Sequence, residues 1–165
     1  MNDKRAMLAH FLAALAYRTQ KAVRGAPADF GDFAAGNLTR TPKELVCHMT
    51  SVVGYADTFF TGGTFWPEPL ATLDEEVVRF HSTIERLSKH ISDGDAFLDM
   101  MTEEKMLQGP LADAMTHAGQ LAMLRRIHGT PVPPENFIYA DIDPANLTTD
   151  QPEPVRPDEE WKERL

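Results

Sequence analysis

Asp113 and His117 stand four residues apart in the stretch Pro110-Leu111-Ala112-Asp113-Ala114-Met115-Thr116-His117. On a helix that spacing separates two side chains by about 40° around the axis and one turn along it, so both reach a common point. A carboxylate and an imidazole placed in this way either hydrogen-bond to each other or share a cation. Leu121 and Leu124 flank the same face and direct the pair inward, where an aspartate without a positive partner is unfavourable. His48 lies at the edge of another apolar stripe, Leu45, Met49 and Val52. If the two helices are neighbours, His48, Asp113 and His117 form a two-histidine, one-carboxylate set with open positions, suited to zinc, nickel or iron(II). Spacing alone leaves the alternative open. A histidine beside an apolar stripe is more often a hydrogen-bonded boundary residue, and an Asp/His pair one turn apart is more often structural.

The remaining reactive residues weigh less. Cys47 is adjacent to His48, but neighbours on a helix point about 100° apart and cannot form a Cys/His dyad, so an inert thiol is expected. His10 and His81 flank the stripes of their own helices and read as boundary residues. Gln120 is a candidate to hydrogen-bond a ligating side chain or else to pair with backbone, and Tyr139 and Asp141 are candidates to fold over the open end of the helices and line a pocket, although an extended tail covering apolar surface is the more common arrangement. The sequence contains no GxGxxG, P-loop, HExxH, GxSxG or CxxC motif. One cysteine excludes an intramolecular disulfide and any Cys₄ or Cys₂His₂ zinc site, which points to a reducing, cytoplasmic setting.

Four segments must position these side chains. The first runs from about Asp3 to Val23, with Leu8, Leu12, Leu15 and Thr19 on one stripe. The second opens with the capping box Thr41-Pro42-Lys43-Glu44, carries Leu45, Met49, Val52, Ala56 and Phe59, and dissolves at Thr61-Gly62-Gly63. A second capping box, Thr72 to Glu75, opens the third, whose Val77, Phe80, Ile84, Leu87 and Ile91 form a bundle-type seam. Residues 92–108 are polar and mixed, with Thr102-Glu103-Glu104 as a candidate extra turn. The fourth helix is expected from about Pro110 to His128, with Gly129 as its stop and Arg125 and Arg126 at its negative end. Apolar residues surround nearly its whole circumference, which predicts the most buried of the four. The economical fold is therefore an all-α four-helix bundle over residues 1–129, its long loops compatible with a crossover connection. Residues 130–165, with seven of the twelve prolines, are expected as an extended tail packing on the bundle.

The chain of 165 residues is long enough for one domain with its own core. Its formal charge of -9 argues against a nucleic-acid partner, and the acidity concentrates in residues 130–165, which hold 3 basic and 9 acidic side chains. No apolar run approaches the ~20 residues of a membrane span. Lys4 and Arg5 before Ala6 to Ala16 superficially suggest a secretory signal, but His10 interrupts the apolar stretch and Asp3 sits in the basic region. The sequons at Asn37 and Asn146 are then chance matches.

The run Leu107-Gln108-Gly109-Pro110 through Arg126, containing His117-Ala118-Gly119-Gln120, together with Glu44-Leu45-Val46-Cys47-His48-Met49, resembles the DinB/YfiT-like superfamily. The resemblance implies a four-helix bundle holding a divalent metal through one histidine of the second helix and two residues one turn apart on the fourth. The second of that pair opens an H-x-G-Q pattern. His48 and His117 match that pattern; Asp113 departs from it, since the commoner residue there is histidine. A carboxylate in that place implies either an altered metal preference or a degenerate site. The resemblance further implies a small-molecule substrate and chemistry with a low-molecular-weight thiol, as in S-transferases, or a related hydrolase or isomerase reaction. The rival expectation is a non-catalytic bundle acting through homodimerisation or partner binding.

Overall fold

Each α-helix that follows a loop begins where a side chain satisfies its free N–H groups. Asn2 accepts from the Arg5 amide and opens α1 (Asp3–Val23). Reciprocal capping boxes start α2 (Pro42–Thr61), at Thr41 and Glu44, and α3 (Leu73–Asp93), at Thr72 and Glu75. Gly94, left-handed at φ 78°, closes α3. These particulars come from a computed structural model that describes residues 2–158 together with Glu160 and Trp161.

The fourth helix begins earlier than expected. Thr102 caps a short α4 (Glu103–Met106), which continues through a π-helical turn, Leu107–Leu111, into α5 (Ala112–Ile127). Pro110 is the reason for the π turn. Proline has no N–H to donate, and its ring clashes with the carbonyl one turn back in a regular α-helix. Widening the turn by one residue lets the chain pass Pro110 and bury it without breaking the helix.

Helices α2 and α3 pack together, as do α1 and α5, α1 and α3, and α2 and α5. The cyclic order is thus α1, α3, α2, α5, so the loop from Arg24 to Thr41 crosses the bundle to join opposite corners. Phe80, Ile84, Leu87 and Ile91 of α3 meet Leu12, Leu15, Met49 and Leu121 in one continuous core. Among the described residues there is no strand, only an isolated bridge between Glu135 and Pro157, and no helix is long and apolar enough to cross a membrane. The all-α bundle is as the sequence indicates.

The most buried helix is α1 and not the fourth. Twelve of its 21 residues are buried, against six of 16 in α5, where Met123 and Ile127 are exposed. The difference lies in the tail, which crosses the outer face of α1. Tyr17 donates to the Glu135 carboxylate at 2.8 Å, Lys21 to the Pro133 carbonyl at 2.5 Å and Arg24 to the Gln151 carbonyl at 2.5 Å. Arg18 lies over the Phe137 ring.

The tail also changes the standing of His81. Expected at a boundary, it is only 2% exposed, because Leu147 covers it and its carbonyl accepts from Nδ1 at 2.7 Å. The other ring nitrogen has no partner among the described residues. Burial therefore holds the His81 pKa below the ordinary 6.5. As pH falls, the unfolded chain takes up this proton first. The stability tied to neutral His81 is complete above about pH 6.5 and is lost as pH drops through the folded value. Replacing His81 by Gln keeps an N–H donor without titration. Urea midpoints measured from pH 7.5 to 5 should fall less steeply for His81→Gln than for the wild type; parallel curves would contradict the assignment.

Candidate metal centre

Because α2 and α5 are adjacent, the condition set by the sequence is met, and His48, Asp113 and His117 offer ligand atoms that all lie within 4.8 Å of one another. His117, the innermost, is 9% exposed. Its Nδ1 lies 2.8 Å from Gln120 Oε1, an oxygen that can only accept, so the proton belongs on Nδ1 and Nε2 presents its lone pair. That Nε2 is buried and has no hydrogen-bond partner among the described residues, although Asp113 Oδ1 stands 3.3 Å away. A lone pair facing a carboxylate oxygen across this gap is repulsive, and either a proton on Nε2 or a metal ion between the two turns the contact attractive.

The spacing suits a small divalent ion. Two ligands at about 2.1 Å from a tetrahedral ion are roughly 3.4 Å apart, close to the separation of His117 and Asp113. The His48 ring meets His117 edge to face, with centroids 4.8 Å apart. Burial foremost, then Arg40 and His117, pushes its pKa below the ordinary value, with Asp113 opposing. His48 is therefore a neutral donor near pH 7. Together the three residues could hold a metal ion through two nitrogens and one oxygen.

Asp113 differs from expectation in one respect. Its side chain is 52% exposed rather than turned into the core, because the preceding π turn places it at the mouth of a cavity. That cavity, of about 720 Å³, is walled by α2 through Val52 and Tyr55, by the α2–α3 connection through Phe65 and Trp66, and by Gln108 to Pro110 of the π turn. Val52, assigned to the core stripe, faces this space, and its neighbour Val53 is buried instead.

Gly54, not singled out in the sequence, builds one wall. A Cβ there would lie 2.0 Å from Phe65 Cδ1, so only glycine lets the ring lie flat on α2. The signal was a glycine in the middle of an otherwise uninterrupted helical pattern. Arg86, paired with Asp57 at 3.0 Å, lies 5.3 Å from the Phe65 ring centre and fixes it further.

Gln120 occupies its expected place against His117. Tyr139 and Asp141 do not: neither lines the cavity, Tyr139 packs under Arg156 and Asp141 is exposed. The tail departs after α5 and runs along α1, which carries both residues away from the α2 side. Cys47 faces the Pro67 carbonyl and Arg79, with burial raising its thiol pKa, as befits an inert cysteine. His10 is exposed and takes no part. No protein-family model, curated protein or solved structure matches the chain.

Gly119, inside the His117-Ala118-Gly119-Gln120 motif, is exposed, and a Cβ there would meet nothing within 4 Å. The packing around His117 therefore does not require a glycine there. Gly119→Ala should stabilise the fold by about 0.5–1 kcal/mol through helix propensity. Chemical denaturation checks this, and a loss of stability would mean that the backbone here is constrained in a way its free space does not explain.

Proposed function

We infer that this chain is a divalent-metal-binding bundle of the DinB-like type, with His48, Asp113 and His117 as ligands. In this reading the remaining coordination positions face the adjoining cavity and a small-molecule substrate. The observation that carries it is the buried Nε2 of His117, which among the described residues has no hydrogen-bond partner, is oriented by the Gln120 contact to Nδ1 and stands 3.3 Å from a carboxylate oxygen. Zinc, nickel and iron(II) all accept two imidazoles and a carboxylate. Such an ion, when bound, acidifies a coordinated thiol or water and polarises an oxygen, which is the basis for proposing a thiol S-transferase or a related hydrolase or isomerase.

The protein's own contributions come from its side chains. Gln120 fixes the ring orientation and tautomer of His117. Asp113 offsets part of the ionic charge and makes the centre a weaker Lewis acid than three neutral histidines would. Val52 and Phe65 keep one side of the site apolar. A lone, half-buried cysteine suits a cytoplasmic protein.

Zinc titration of the metal-free wild type, His48→Ala, Asp113→Ala and His117→Ala tests the assignment. The wild type should bind one ion, each histidine variant should lose most of it while keeping its helical circular dichroism, and Asp113→Ala should weaken binding by about tenfold or more. Asp113→His should retain the ion. Unchanged stoichiometry in both histidine variants would refute the centre. Equal affinity for wild type and Asp113→Ala would remove the carboxylate from it.

A further inference from the structure

Resting on the metal reading above, we propose that the cavity beside the three ligands selects an uncharged aromatic ligand. Its ring packs against Tyr55, Phe65 and Trp66 while a single donor atom reaches the ion. Three observations lead there.

The first is the wall itself. Trp66 is 83% exposed and Tyr55 53% exposed, yet both border one cavity instead of being scattered singly over the surface. Large aromatic faces left in water beside a concave site gain free energy when another ring covers them. At about 720 Å³ the cavity has the size of a small-molecule site and exceeds what a water or a simple anion would need.

The second is rigidity. Phe65 is clamped between the bare backbone of Gly54 and the Arg86 guanidinium, and Tyr55 is edge-on to Phe59 with centroids 5.0 Å apart. A pre-formed aromatic wall binds without first being ordered.

The third is charge. Among the described residues no lysine or arginine lines the cavity, and the one carboxylate that does is Asp113. Arg40, the cation that influences His48, borders a different cavity with Leu38 and Met123. A ligand bearing carboxylates would find no cationic side chain here and would meet the Asp113 charge, so the walls disfavour a peptide-like anionic thiol.

Cobalt(II)-loaded protein tests the proposal, with the sulfur-to-cobalt charge-transfer band read as benzyl mercaptan, 1-propanethiol or glutathione is titrated in. Benzyl mercaptan should bind about tenfold more tightly than 1-propanethiol, and glutathione no more tightly than 1-propanethiol. In Trp66→Ala, whose exposed side chain contributes little to folding, compared at equal cobalt occupancy, the aromatic margin should shrink to about threefold or less. Gly54→Ala, by displacing Phe65, should act in the same direction. Equal affinities for the two neutral thiols, a margin unaltered by Trp66→Ala, or tightest binding by glutathione would each overturn the proposal while leaving the metal centre standing. Failure of the wild type to bind cobalt would refute the metal centre and the proposal with it.

Discussion

Imidazole has two nitrogens and, when neutral, one proton, so whatever engages the first nitrogen decides what the second can do. In His117 the first nitrogen is committed to Gln120 Oε1, at 2.8 Å and one helical turn away. The commitment leaves Nε2 as a buried acceptor whose near neighbours, Asp113 and His48, include no donor hydrogen-bonded to it. Water and backbone usually relieve such a group, and an isolated one costs about 1–3 kcal/mol. Beside a carboxylate and a second imidazole, such a nitrogen could be satisfied by a positive charge, as a metal ion held by the three residues would supply. The orientation of Gln120 is therefore the constraint on which the rest of the centre depends.

The scaffold serves that constraint in two ways. The crossover between α1 and α2 puts α2 beside α5, without which His48 would be on a different seam from His117. The π turn at Leu107–Leu111 then inserts one additional residue before α5. An added residue rotates the helix on its N-terminal side by about 100° relative to the helix on its C-terminal side. Gln108 to Pro110 consequently border the cavity, and Asp113, on the first turn after the bulge, opens onto the same space. The aromatic connection from Gly63 to Trp66 closes the opposite side, held down where Gly54 has no side chain to obstruct it. Thus the three candidate ligands stand on regular helix, while the cavity beside them is walled by α2 and by the two places where helix is interrupted or absent.

How much of this could be read from the sequence depended on whether the governing interactions were local. Helix starts at Pro42 and Leu73 were legible because their capping boxes lie within three residues of the helix, and the first helix because its apolar stripe repeats. The α3 seam was legible because its period repeats over five apolar residues, and His48, Asp113, His117 and Gln120 because helical spacing places them. The exposure of Asp113 was not, since it depends on a π turn that Pro110 disguised as an ordinary helix start. The burial of His81 and the enclosure of α1 were likewise illegible: both are produced by tail residues more than 60 positions away in the chain. Tyr139 was misplaced for the same reason, as nothing local in a proline-rich segment states which face of the bundle it will cover.

The central claim concerns the state of one nitrogen, and nitrogen-15 NMR of the histidine rings observes it directly. In metal-free protein at pH 8, His117 should show an Nδ1-protonated neutral ring with Nε2 in the unprotonated range. One equivalent of zinc should then shift Nε2 of His117 and a ring nitrogen of His48 together, leaving His10 and His81 unmoved. A proton on Nε2 of His117 in the metal-free protein, or zinc binding that leaves both His48 and His117 unshifted, would contradict the account.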